Sequence, residues 1–426
     1  MKSYSFTGVT AALALSFVSF ASIQADTGLC CLHCGGNMPL NILGAGIPET
    51  HEFRFKIKAM HMSMRGVQSG YNEKPIAETL SLPASMSMGM DANTMAISNR
   101  IRGELTGRKY MAVPQRMYMN MYDLSMAYSF TDRFAAMVMT MYQERFMKMK
   151  FNPMMQSMLG MSHYTMESRG MTDTMIMGKY RILEDDTLAP TNQLSIIAGL
   201  SLPTGSIDEK NSKHPLGNPT APLDLTTFNN TVPDRKSEPM PYSMQMGSGT
   251  FDPIAGIAYQ GSASPFWWGA TFTYKGRAYK NKHGYALGDE YKLDAYAMYQ
   301  ISYNVVSHIQ FNAEWINGIR GEHEDAYKGD AGRSIDGNLL SEYMSPAWDP
   351  RNYGGEVLSV SAGIQWQPIP LQILEVTATV PVSQRWNGLQ MTREYSVQVA
   401  YYVEIPTSGS VRHEKKKKAK TDDIGF

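Results

Sequence analysis

The sequence predicts an all-β protein: a transmembrane antiparallel up-and-down β-barrel of about twelve strands, with short periplasmic turns and long extracellular loops. Three observations predict it. Apolar residues recur at every second position in segment after segment, which is the strand period. The connections between these segments alternate short and long. An apolar leader opens the chain, yet no later run approaches the roughly 20 apolar residues of a spanning helix.

Taken in order, residues 1–25 read as a signal peptide: Met1-Lys2, an apolar stretch from Val9 to Ala21, and the small residue Ala25 as the cleavage point. Residues 26–50 form a periplasmic N-terminal segment. Residues 51–404 form the barrel, and 405–426 a polar tail carrying Lys415–Lys418 and Lys420. An exported chain built this way is expected in the outer membrane of a Gram-negative-type cell, in contact with its lipid.

Twelve segments carry the strand pattern: 52–64, 115–130, 133–149, 166–182, 191–202, 250–261, 265–279, 289–303, 305–319, 355–367, 370–385 and 392–404. In 305–319, Ile309, Phe311, Ala313 and Trp315 alternate with His308, Gln310, Asn312 and Glu314. In 392–404, Tyr395, Val397, Val399, Tyr401 and Val403 alternate with Glu394, Ser396, Gln398 and Glu404. Connections near Thr131–Asp132, Gly261–Ser264, Asn304 and Pro368–Pro370 are short. Those at 65–114, 150–165, 203–249, 280–288 and 320–354 are long and polar. The 24 Tyr, 15 Phe and 6 Trp suit interfacial girdles. Zero formal net charge gives nucleic acid no footprint. No metalloprotease, nucleophile-elbow, phosphate-loop or dinucleotide motif is present, so no enzyme is expected.

Two features could carry chemistry. Cys30, Cys31 and Cys34 surround His33, a soft donor set for a metal or the makings of a disulfide in an oxidising compartment. Methionines form ladders at Met60, Met62 and Met64, at Met117, Met119 and Met121, at Met137, Met139 and Met141, and at Met171, Met175 and Met177. Of 33 methionines, 25 fall between Met60 and Met177, so they concentrate in the first strands. Their face also carries charge, as at Asp123 and Arg145, whereas the other face is aromatic and apolar. Neutral thioether sulfur suits Cu(I) and Ag(I), and methionine also serves as flexible apolar filler. Arg54, Lys56, Arg169, Asp173, Lys179, Arg181, Asp294, His308 and Glu314 are expected to line the lumen.

The runs Leu200–Asp208 (Leu-Ser-Leu-Pro-Thr-Gly-Ser-Ile-Asp), Met244–Asp252 (Met-Gln-Met-Gly-Ser-Gly-Thr-Phe-Asp), Tyr285–Asp289 and Thr379–Val382 follow one another in the chain. In this order they resemble the outer-membrane family named for the meta pathway of phenol degradation, over about residues 166–404. The resemblance implies an outer-membrane barrel and passage of small, aromatic molecules; it supplies no catalytic residues. The methionine ladders and the cysteine cluster lie outside that family's general pattern. Passage of a small solute is therefore expected, with soft-metal handling through the methionine-rich lumen. The alternatives are a non-transporting metal-binding or sensing barrel, and an uptake channel for small aromatic or hydrophobic compounds.

Overall fold

The computed structural model describes residues 37–43, 50–80, 110–153, 156, 160–185, 190–211, 239–324, 343 and 345–410. The leader, Cys30, Cys31, His33, Cys34 and the tail from 411 lie outside the described residues. The strands are β1 (Glu52–Gly70), β2 (Asn72–Lys74), β3 (Ala112–Ser129), β4 (Phe134–Phe151), β5 (His163–Met171), β6 (Thr174–Glu184), β7 (Asn192–Leu202) and β8 (Asp252–Ala263). They continue with β9 (Phe266–Lys275), β10 (Tyr285–Ala286), β11 (Glu290–Ser302), β12 (Val305–Ile316), β13 (Arg320–Gly321), β14 (Gly355–Ile369) and β15 (Gln372–Pro406). A short helix, α1 (Ile76–Thr79), follows β2, and single 3-10 turns occupy 242–244, 346–348 and 350–352.

Each large strand pairs antiparallel with its sequence neighbour, and β15 returns to pair with β1 from Glu52↔Pro406 to Gly70↔Trp386. The pairing of β15 with β1 closes the ring. Of its 13 strands, β2 hangs on β1 and β5 on β4 beside the closed circuit, leaving eleven on the ring. Two local features separate eleven from the twelve alternating segments. First, β5 and β6 both run antiparallel to β4, one after the other, broken at Thr172–Asp173. Second, β15 pairs through its first half with β14 and through its second half with β1. The halves bond to each other: Gln384 Nε2 donates to the Arg393 carbonyl (2.8 Å), and Arg393 N–H donates to Gln384 Oε1 (2.9 Å). Tyr401 Oη reaches Gln372 Oε1 at 2.7 Å. The chain thus doubles back near Trp386, where the pairing with β14 gives way to the pairing with β1.

Alternation sorts side chains by face. Ile57, Leu124, Ile176, Ile196, Ile257, Ile309, Ile364 and Val399 point out and are exposed. Asp123, Lys179, Gln260, Asp294, Gln310 and Gln365 point in and are buried. Among the described residues no helix is long and apolar enough to cross a membrane. A closed barrel with an apolar belt outside and a polar interior satisfies every backbone group in lipid. The protein is an outer-membrane β-barrel.

Candidate functional site: a plugged lumen beneath a methionine-lined chamber

Residues 37–43, expected on the periplasmic side, sit inside the ring near its short-turn end. The reason is apolar: Met38, Leu40 and Ile42 are almost fully buried. Met38 and Ile42 pack with Trp267, Tyr296, Met298 and Val306, and Leu40 packs with Ile373 and Tyr402. Polar wall residues hold the segment's backbone and the Asn41 amide. Leu40 N–H donates to Glu375 Oε2 (2.9 Å), Lys56 Nζ donates to the Leu40 carbonyl (3.1 Å), and Gln365 Nε2 donates to the Met38 carbonyl (3.1 Å). Asn41 and Gln310 exchange reciprocal amide bonds at 2.8 and 2.9 Å. A short stretch of backbone is therefore held by buried side chains, as its polar groups require once taken from water.

The lumen charges are largely paired. Arg54 bonds Glu404 at 2.9 Å, Lys58 lies 3.3 Å from Asp123, and Arg181 bonds Glu184 at 3.0 Å. Lys179 donates to Gln260 Oε1 at 3.3 Å, and Asp294 accepts from Asn312 at 2.7 Å. His308 Nε2 lies 3.7 Å from Glu375 Oε2, beside the plug. Glu314 bonds Arg393 at 2.5 Å higher up. Of the expected lining residues, Arg169 alone departs: it is exposed on the outer face, opposite Glu144 in register. The cause is the break at Thr172–Asp173. In β4–β5 Met147 faces Met166, and in β4–β6 Met139 faces Met175, so one extra residue is inserted between them. Even positions point inward in β5 and odd positions in β6. Met171 and Glu167 consequently point outward too, and the ladder read through Met171 is not continuous.

The other ladders share one wall. Register places Met60 beside Met121, Met62 beside Met119 and Met64 beside Met117. Met117 lies beside Met147, and Met147 beside Met166, giving one row of four thioethers across β1, β3, β4 and β5. Met139 faces Met175 and Met137 faces Met177. Met141 faces the Asp123 position, and Met121 sulfur accepts from Gln143 Nε2 at 3.0 Å. Above the plug a cavity of about 480 Å³ opens against this wall, lined by Met64, Met117, Met119, Met141, Met147, Met175, Met246 and Met391. Tyr242, Tyr353, Trp386, Arg145, Arg277 and Arg393 complete much of the lining. Some of the same methionines also act as packing: Met117, Met147, Met149, Met166, Met240 and Met244 form one buried cluster with Tyr343 and Trp348.

Loops folded into the barrel roof the chamber. Arg145 donates to the carbonyls of Ser243 (2.7 Å) and Gln245 (2.6 Å), drawing residues 242–246 inward. Asp173 accepts from Gly205 N–H (3.0 Å), Ser248 N–H (2.8 Å) and Ser248 Oγ (2.7 Å). The runs Leu200–Asp208 and Met244–Asp252, far apart in sequence, therefore meet at one inward carboxylate. Gly247 fits because a Cβ there would lie 2.4 Å from the Gly205 carbonyl oxygen and 2.6 Å from Asp173 Oδ1. Tyr242 packs edge-on against Tyr285 (centroids 4.8 Å) and Tyr353 (5.5 Å). Burial pushes the Tyr285 and Tyr353 phenols up to about 12, and that of Tyr242 higher still. Neither this tyrosine group nor the plug anchor Glu375 stood out in sequence, although Tyr242 lies just before the Met244–Asp252 run. Among the described residues no group of three or more His, Cys, Asp or Glu is placed to hold a metal ion.

No family model and no curated protein matches the chain. Solved structures similar to it include the COG4313 outer-membrane channel of Pseudomonas putida F1, at 7% identity and TM-score 0.48, covering 86% of this chain and 100% of that one. They also include the NanC porin (7%, TM-score 0.36, 82% and 100% covered) and the P. putida toluene transporter TodX (7%, TM-score 0.34, 85% and 91% covered). At this level of likeness they assign neither a family nor a substrate.

Proposed function

We propose that the protein is a twelve-crossing outer-membrane channel for a small solute, closed at rest by residues 37–43 and holding its cargo in the methionine-lined chamber. β5 and β6 together make one crossing and β15 makes two. The cargo we favour is a soft monovalent ion, Cu(I) or Ag(I). The observation that carries this is the row Met64, Met117, Met147 and Met166, four thioethers on adjacent strands spaced about 4.8 Å apart. Of the neighbouring cations, Arg393 is matched by Glu314 and Arg277 by Asp252 and Glu290, while Arg145 is spent on the carbonyls of Ser243 and Gln245. Cys30, Cys31, His33 and Cys34 would capture the ion on the periplasmic side, and Met119, Met121, Met137, Met139 and Met141 would pass it along the wall. The direct test titrates purified barrel with Cu(I) or Ag(I) against a chromophoric chelator. Binding of several ions that is lost when Met64, Met117, Met147 and Met166 are all changed to leucine supports the reading. Equal binding by both proteins, or none by either, rejects it.

A second reading has its own support. Trp386, Tyr242 and Tyr353 share the chamber with the thioethers, and its volume suits a single-ring organic molecule. The outer-membrane family named for phenol degradation, which the loop runs resemble, points the same way. Proteoliposome uptake of an aromatic acid, without metal binding, would favour this cargo.

A further inference from the structure

The outward face of β1, β3 and β4 carries one more row above its aromatic one. Tyr118 stacks on Phe146 with centroids 4.8 Å apart, in a register row with Ser63 and Glu167. One step nearer the long loops, Arg65 pairs with Arg116, and Arg116 pairs with Lys148. All three are exposed. Directly opposed residues on antiparallel strands have Cα atoms about 5 Å apart, and like charges so placed destabilise a sheet. Among the described residues none of the three has a hydrogen-bond or ion-pair partner. Lys150 follows on β4 beside His163. The nearest acids, Glu144, Glu167 and Glu394, belong to rows below, where Glu144 accepts from Asn120 and Glu394 from Ser63.

The feature is local. Near the loop end of the opposite wall, the outward row runs Tyr274, Tyr291, Trp315, Glu356 and Arg385, and there the two charges neutralise each other at 3.1 Å. Three unmatched cations directly above an aromatic girdle stand at headgroup height. Two of them are arginines, whose planar forks match phosphate bidentately.

We propose that Arg65, Arg116 and Lys148 bind the phosphate groups of lipopolysaccharide in the outer leaflet, fixing one lipid molecule against the β1–β3–β4 wall. The proposal rests on the outer-membrane reading with the long loops outside. Its test uses the full-length barrel in detergent, titrated with bis-phosphorylated lipid A and with dephosphorylated lipid A, and read by native mass spectrometry. The wild type is expected to bind the phosphorylated lipid at least tenfold more tightly. The triple variant Arg65→Gln, Arg116→Gln, Lys148→Gln is expected to lose that preference, and the pair Glu356→Gln, Arg385→Gln to keep it. Heat-modifiable gel mobility reports folding of each variant, and the single change Arg116→Gln, expected to lose part of the preference, replaces the triple if that fails to fold. Equal binding of the two lipids by wild type, an unchanged preference in the variant, or displacement of lipid by millimolar inorganic phosphate overturns the proposal. Cell fractionation separates it from its premise. A barrel found in the outer membrane without phosphate preference overturns this inference alone, and a barrel found elsewhere overturns both.

Discussion

Asn41→Ala removes the plug's side-chain amide anchor to Gln310 without touching the barrel wall. Two reciprocal bonds to Gln310 are lost, at 2.8 and 2.9 Å. Each is worth about 1 kcal/mol net, and leaving a buried amide unpaired would add to that. Gln310 is not orphaned, however. Its Oε1 still accepts from Asn312 (3.4 Å), and its Nε2 still faces His308 Nδ1 (3.1 Å). The cost therefore falls near the simple sum, about 2 kcal/mol. Since 1.4 kcal/mol is tenfold, the unplugged population should rise about 30-fold. The backbone anchors from Glu375, Lys56 and Gln365 remain, so the plug loosens rather than leaves. Single-channel recording in planar bilayers reads this as open probability. Gln310→Leu should act similarly, and the double variant should open no further than the more open single one, because both remove the same contact. Fully additive effects, or wild-type open probability in all three folded variants, would refute the claim that this contact holds the channel shut.

Other outcomes follow from the roof of the chamber. Arg145→Met removes two bonds to loop carbonyls and should release residues 242–246, seen as faster limited proteolysis there and a larger single-channel conductance. Gly247→Ala forces a methyl group against the Gly205 carbonyl and Asp173; overpacking of this kind costs about 1–3 kcal/mol, and should lower the melting temperature, while Gly66→Ala, with open space around it, tests backbone strain alone. Alkaline titration should dissolve the tyrosine group. Tyr285 and Tyr353 are raised in the folded chain, so their contribution is whole below the unperturbed value near 10 and is lost as pH climbs through about 12. Tyrosinate absorbance and conductance should rise together in that window; ionisation complete by pH 10 would show that these phenols are not buried.

Much of the wall was legible because strand alternation is a one-dimensional signal. Which face of β3 and β4 carries methionine follows from parity alone, as does the inward placement of Asp294, His308 and Glu314. Parity also explains the failure at Arg169: one residue inserted at Thr172–Asp173 inverts the assignments in β5 relative to those in β6, and nothing in the local composition marks an insertion. The hairpin in β15 was legible as two separate alternating segments, 370–385 and 392–404. The chamber roof was not, because it is made by pairs distant in sequence, such as Asp173 with Ser248 and Arg145 with Ser243. Such contacts leave no periodicity. The plug was only half legible: Met38, Leu40 and Ile42 alternate like a strand, yet the seven residues seat against side chains from across the ring rather than joining the sheet.

That seating has a mechanical consequence. Cys34 precedes Asn37 by three residues, which at full extension span about 11 Å. Whatever binds the three thiols is thereby leashed to the cork, and a partner that pulls on them pulls on Leu40 and its hold on Glu375. The leash is too short for the cysteines to travel far while the cork stays seated. Loading at one end and unblocking at the other would then be two ends of a single string.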